Sequence, residues 1–264
     1  MQAFDHGGVR LHYADERQGR PVTLAFVNSL GTDFRIWDGV VERLPAAAGA
    51  IRHDKRGHGL SDAPAGPYTL DDHVGDLAAL LDHLGVGRAV IVGVSVGGMI
   101  AQGYALAHPD RVAGLVLCDT GACIGTAQMW NVRIAAVTTG GLGSIADAIL
   151  QRWFSTPFRA HRQTELAVWR NLLVRTPDHG YAGTCAALRD ADLRDLVGTI
   201  ETPTLCVCGD EDGATPPELV RELAALIPDA TYLEIEQAGH LPCIEQPAVL
   251  ADAITTFLRE NELG

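Results

Sequence analysis

The chain has 264 residues, 47% of them hydrophobic and 20% charged, with a formal net charge of −13 and a pI near 5.1. That length suits one large globular domain carrying an insertion. The acidity excludes general binding of nucleic acid or of an anionic membrane surface, and an anionic substrate would need a local cation.

The elements follow in chain order. The opening "MQAFDHGGVRLHYADE" is polar and lacks the apolar core of a signal peptide. Within it, "GVRLHYAD" alternates apolar and polar residues, which predicts an exposed antiparallel strand. "VTLAFVN" is a continuous apolar run and predicts a strand buried on both faces. A loop "NSLGTDF" and a short helix around Trp37–Leu44 come next, then a strand "AIRHD" and the loop "KRGHGLSDAPAG". Helical spacing runs through Val74, Leu77, Leu81 and Leu84, with Gly85 as its stop. "RAVIVGVS" reads as a strand, "VGGMIAQGYALAHP" as a helix closed by Pro109, and "VAGLVLCDT" as another strand. Only helical patterns occupy Gly121 to Gly198. Alternation returns with "TPTLCVCGDED", "PELVRELAALI", "ATYLEIEQ" and "PAVLADAITTFLREN". The expected fold class is therefore α/β: a mostly parallel sheet covered by helices on both faces. Its core spans 1–120 and 199–264, and 121–198 forms an inserted helical cap.

No run reaches the roughly 18 apolar residues of a membrane span. The six cysteines, Cys118, Cys123, Cys185, Cys206, Cys208 and Cys243, form no CxxC pair and read as small buried hydrophobes. These features predict a reduced, cytoplasmic protein; they are compatible with an oligomer and do not specify one. The single lysine, Lys55, lies among charged and glycine residues, which argues against Schiff-base chemistry. No HxHxDH or HExxH motif occurs, so neither a metal nor a cofactor is implied.

The stretch "IVGVSVGGM" (Ile91–Met99) carries the chemistry. Gly93, Ser95 and Gly97 make G-x-S-x-G between a buried strand and a helix start. Glycine inside such elements costs roughly 0.5–1 kcal/mol relative to alanine, so a tight backbone must be wanted here. A strained turn there exposes the serine at the sheet's end, with helix N–H groups aimed at developing negative charge. Ser95 is the predicted nucleophile. The chain order Ser, Asp, His then places the acid in "GDEDGATPP" and the base in "QAGHLPCIEQP", both loops at strand C-termini. His240, the only histidine after His179, is the predicted base. Asp212 is the predicted acid, with Asp210 and Asp119 as other candidates. Two backbone N–H groups should form the oxyanion hole, one from Val96 and one from Leu30 in "NSLG", a loop that Asn28 and Ser29 shape through side-chain hydrogen bonds. Asp54, Arg56 and Asp62 read as residues that fix their own loop.

"DKRGHGLSD", "GVSVGG", "GDED…TP" and "AGHLPCIEQP", in that order, resemble the landmarks of the α/β-hydrolase superfamily across the whole chain. Within it the chain is most similar to the 3-oxoadipate enol-lactonases, through "VNSLGTDFRIWD" and the cap segment "IGTAQMWNVRIAAV…ILQRWF". Asn28-Ser29 stand where many relatives carry His-Gly. The resemblance implies an α/β-hydrolase fold and hydrolysis of 3-oxoadipate enol-lactone to 3-oxoadipate in aromatic-compound catabolism, through an acyl-enzyme on Ser95. That lactone is a small anion. Arg133 is the expected partner of its carboxylate, and Trp130, three residues earlier on the same helix face, is expected to pack on the ring. Trp153 is a further candidate for the pocket wall. Competing readings are a carboxylesterase, a cofactor-free perhydrolase or a carbon–carbon bond hydrolase of the same fold, and, in a different class, a ligand receptor that keeps the fold.

Overall fold

The computed structural model describes residues 1–263. Strands β1 (Gln2–His6), β2 (Val9–Asp15), β3 (Val22–Val27) and β4 (Ala48–His53) come first, with helix α1 (Asp38–Val41) between β3 and β4. Helix α2 (Leu70–His83), strand β5 (Ala89–Val94), helix α3 (Val96–Ala107) and strand β6 (Val112–Cys118) follow. Five helices come next without a strand: α4 (Ala127–Gly140), α5 (Ala146–Trp153), α6 (Thr156–His161), α7 (Gln163–Val174) and α8 (Asp178–Asp190). Strand β7 (Thr204–Gly209), helix α9 (Pro217–Leu226), strand β8 (Thr231–Ile235) and helices α10 (Pro242–Glu245) and α11 (Pro247–Glu260) complete the fold.

The strands form one sheet in the order β1-β2-β4-β3-β5-β6-β7-β8. β1 and β2 pair antiparallel, β2 pairs antiparallel with β4, and every other pairing is parallel. β1 went unread in the sequence because "QAFDH" lies exposed or half-buried at the sheet edge and carries no apolar run. The buried runs became central strands: every residue of β4, β5 and β7 is buried. Thr69 and Asp72 close a capping box that starts α2, and Gly85, at φ +65°, ends it. No helix among the described residues is long and apolar enough to cross a membrane.

Connection geometry locates the site. From β3 the chain steps outward to β4, then crosses back over β3 to reach β5. Right-handed crossovers in opposite directions put α1 and α2 on opposite faces of the sheet. α2 accordingly packs on α3, while α1 packs on the C-terminal α11. The loops leaving β3 and β5 therefore diverge and open a crevice at the strands' C-terminal ends, where open α/β sheets bind ligands.

The helical segment between β6 and β7 docks on the core through small residues. A Cβ on Gly180 of α8 would stand 2.4 Å from the carbonyl oxygen of Gly57, and one on Gly183 2.7 Å from the Tyr68 ring. Only hydrogen at these positions lets α8 lie on the loop that follows β4.

Candidate active site

Ser95 sits between the last residue of β5 and the first of α3 with φ 60° and ψ −122°, a strained conformation for a residue with a side chain. Its neighbours explain how the turn is tolerated. A Cβ on Gly93 would lie 2.2 Å from the Gly97 carbonyl oxygen, and one on Gly97 2.2 Å from that of Val27. The two glycines thus let the elbow fold on itself and against the end of β3. Thr120 fastens it from behind, its hydroxyl donating to the Ser95 carbonyl at 2.7 Å.

His240 follows β8 in a loop clamped by buried partners. Its own N–H donates to the Trp153 carbonyl at 2.8 Å, and the preceding Gly239 N–H donates to Glu245 Oε1 at 2.7 Å. Glu245 also accepts from the Ser155 hydroxyl at 2.5 Å, so one buried carboxylate ties the end of α5 to the histidine loop. The His240 Nδ1 lies 2.9 Å from Asp212 Oδ2. With Nδ1–H facing the carboxylate, Nε2 carries the lone pair; Ser29 Oγ lies 3.4 Å from it, and among the described residues no hydrogen bond joins it to Ser95, which lines the same cavity.

Asp212 rather than Asp210 or Asp119 meets the imidazole. Its Oδ1 accepts from the N–H groups of Ala214 and Thr215 at 2.7 and 3.1 Å, and its Oδ2 from the Thr215 hydroxyl at 2.6 Å. Asp210 instead accepts from the Ala238 N–H, and Asp119 from that of Gly209. Burial, and then the nearby charge of Asp212, push the Asp119 carboxyl well above the usual carboxylate range.

Leu30 follows β3 on the facing loop. Neither the Leu30 nor the Val96 N–H has a protein acceptor among the described residues. The Val96 group is one of the unpaired donors of the first turn of α3. Asn28 shapes this loop through its side chain, donating to the Thr32 carbonyl at 3.0 Å, whereas the Ser29 hydroxyl points to the histidine.

A family model described as alpha/beta hydrolase fold matches residues 22–247. The chain belongs to this family. It is 34% identical to "3-oxoadipate enol-lactonase 2" of Acinetobacter baylyi over 95% of this chain and 94% of that protein. The crystal structure of the enol-lactonase from Burkholderia xenovorans LB400 matches with a TM-score of 0.94 at 36% identity, covering 98% of this chain and all of that one. A thermophilic esterase from Thermogutta terrifontis, solved with malate bound, matches at a TM-score of 0.92 and 29% identity over 99% of both chains. The protein is a hydrolase of this family, similar to enol-lactonases.

In this hydrolase Ser29, Leu30, Ser95 and His240 line one cavity of about 40 Å³ together with residues of the helical segment. All three substrate-site expectations from that segment, Trp130, Arg133 and Trp153, line it too. The Arg133 guanidinium lies over the Trp130 ring at 5.4 Å, and its Nη1 reaches the Tyr181 hydroxyl at 3.4 Å. Trp130 is anchored by its own Nε1–H, which donates to the Ile124 carbonyl at 2.6 Å.

Four contributors were missed in the sequence. Arg152 lines the cavity beside Arg133 and donates to the Gly213 carbonyl at 2.8 Å. Burial, and then repulsion from Arg133, lower its pKa. Its signal was present: it adjoins Trp153 in an acidic chain. Tyr181 comes from α8, and only tertiary packing brings it in. Thr215 orders the acid loop, and "DGATPP" held that hint as a hydroxyl just past the acid. Lys55 lies beneath the Leu30 loop, 2.5 Å from the Ser29 carbonyl oxygen. Asp54, Arg56 and Asp62 tie their loop to other elements: Asp54 accepts from the N–H groups of Phe34 and Leu60, Arg56 pairs with Asp76 and Asp72 of α2, and Asp62 with Arg10 of β2.

Proposed function

We propose that the protein opens 3-oxoadipate enol-lactone to 3-oxoadipate, with Ser95 as nucleophile, His240 as base and Asp212 as the acid that orients it. Ser95 Oγ attacks the lactone carbonyl carbon as His240 Nε2 takes its proton. Asp212 stabilises the imidazolium through the Nδ1 hydrogen bond. The N–H groups of Leu30 and Val96 receive the oxyanion. Collapse breaks the ring C–O bond, and the imidazolium returns its proton to the departing enolate oxygen. The enol stays tethered to the acyl chain and tautomerises to the ketone. His240 then activates a water that cleaves the acyl-enzyme, regenerating Ser95. Because an enolate leaves more readily than an alkoxide, ring opening is the easier half of the cycle.

The observation that carries the choice of substrate is the pair Arg133 and Arg152 on the wall of the serine cavity. A protein with net charge −13 lines this cavity with two cations and two tryptophans, which supports a substrate that carries a carboxylate and a ring. The similarity to enol-lactonases supports the same reading. A general esterase acting on small neutral esters is the second reading. The thermophilic esterase that matches this chain at a TM-score of 0.92 and 29% identity supports it. The deciding experiment is a spectrophotometric assay with enzymatically generated enol-lactone beside p-nitrophenyl acetate. A kcat/KM far higher for the lactone is expected. Equal or lower values for the lactone would overturn the proposal in favour of the esterase.

A further inference from the structure

Lys55 is fully buried, 1% exposed, at the start of the loop after β4. Its Nζ donates to the Ser29 carbonyl at 2.5 Å. That carbonyl and the Leu30 N–H are the two ends of one conjugated, planar peptide group. We propose that Lys55 is a positioning residue that strengthens the Leu30 oxyanion donor by holding its ammonium against the carbonyl of the same peptide. The proposal rests on the reading of Leu30 as an oxyanion donor.

The carbonyl does not need the lysine for its hydrogen bonding. The Thr32 hydroxyl donates to it at 2.8 Å and the Thr32 N–H at 3.4 Å. Nor does an ion pair account for the cation. Asp54 and Asp33 are the carboxylates whose charge reaches it, and they are engaged with His12 and Arg35. The other titratable neighbours, His53, His58 and His73, are held neutral, first by burial and then by the field of Lys55 itself. Burial costs the ammonium and lowers its pKa to about 7, against the raising charges of Asp54 and Asp33, so the lysine carries its charge below that pH and loses it above. What the charge does is draw electron density toward the Ser29 oxygen, which leaves the Leu30 hydrogen more positive. Bonds in such chains strengthen one another, and a charged member strengthens them most. The adjacent peptide is kept out of the way: the Gly31 N–H donates to His58 Nε2 at 2.9 Å. Leu30 is left as a free donor of this loop, with the cation behind its own peptide.

The test compares wild type with Lys55→Met and Lys55→Gln. At pH 6, where the lysine is charged, it reads kcat/KM on p-nitrophenyl acetate, inhibition by a small alkyl trifluoromethyl ketone, and the thermal midpoint. The ketone adds to a serine as an anionic hemiketal, so it reports the oxyanion donors. A charged hydrogen bond is about twice as strong as a neutral one, which predicts a loss of about 5- to 30-fold in kcat/KM. Inhibition should weaken by the same factor, in both variants, because Gln keeps a hydrogen bond and loses the charge. The midpoint of Lys55→Met should hold or rise, since replacing a buried charge by an apolar side chain removes a desolvation cost. Unchanged rates, full activity in Lys55→Gln, a rate loss without weaker ketone inhibition, or failure of Lys55→Met to fold would each overturn the proposal. Fluorophosphonate labelling of wild type separates the two layers. If Ser95 is not labelled, the serine-hydrolase reading fails. If it is labelled and Lys55→Met matches wild type, only the role of Lys55 fails.

Discussion

The elbow at the end of β5 and the wall supplied by α4 and α5 reach the same cavity by different means. At the elbow, backbone decides. Gly93 and Gly97 have no room for a Cβ, Ser95 has a φ that few residues adopt, and the Asp212 carboxylate is held by three donors. At the wall, side chains decide. Arg133 is partly exposed, and its long hydrogen bond to Tyr181 and its place over Trp130 leave it free to turn. The first region is fixed by close backbone approaches and buried hydrogen bonds, which suits groups that must meet a transition state. The second is built from replaceable contacts, which suits a surface that chooses among substrates.

That contrast predicts a ladder of effects. At its top, Ser95→Ala should leave the fold nearly intact and abolish turnover by several orders of magnitude, read by steady-state kinetics with circular dichroism as the control. Near-normal hydrolysis would mean that the elbow is only a tight turn.

Asp212→Asn should keep the shape of its loop and favour the wrong imidazole tautomer, at a cost on the order of 10⁴ in kcat. Asp119→Asn should cost far less, because Asp119 bonds the Gly209 N–H and not His240. A reversed ranking would assign the orienting carboxylate to the end of β6.

On the wall, Arg133→Leu should lower kcat/KM for the enol-lactone about 10- to 150-fold, the value of a charge-assisted contact of roughly 1.5–3 kcal/mol. Hydrolysis of p-nitrophenyl acetate should hardly change. Equal losses on both substrates would mean that Arg133 supports the helices and reads nothing.

The smallest effect tests the seam between the regions. The buried His73 of the core bonds Thr184 of α8 at 3.3 Å, and burial, then the charge of Lys55, lower its pKa well below the ordinary value. The unfolded chain takes up this proton near pH 6.5 and the folded chain does not, so the stability His73 contributes is complete above that pH and declines below it. Buried Asp119 and Glu245, whose carboxyls are raised, act in the opposite sense over neighbouring pH values. The difference in unfolding free energy between wild type and His73→Asn isolates the imidazole. It should be flat above pH 6.5 and shrink by up to about 1.4 kcal/mol per unit as the pH falls. A flat difference down to pH 5 in urea titrations would mean that the folded chain accepts the proton.

Periodicity and glycine placement made the parallel sheet and the elbow at Ser95 readable, because buried strands and tight turns tolerate few residue types. The edge strand Gln2–His6 escaped notice because an edge needs no apolar run. Choosing Asp212 over Asp210 and Asp119 was an inference from loop position, and the imidazole contact at 2.9 Å is a matter of three-dimensional geometry. Arg152 and Tyr181 join Arg133 only because α5 and α8 fold over the end of the sheet. Lys55 is the sharpest case. As a letter in "HDKRGHG" it is an ordinary surface cation, and its neighbours in the chain give no reason to bury it. Only the crossing of the loops after β3 and β4 sets its ammonium against the Ser29 carbonyl. Local backbone demands are written in local residues, so the sequence by itself determined the frame. The electrostatics of the site arise from groups distant along the chain, and the tertiary structure decided them.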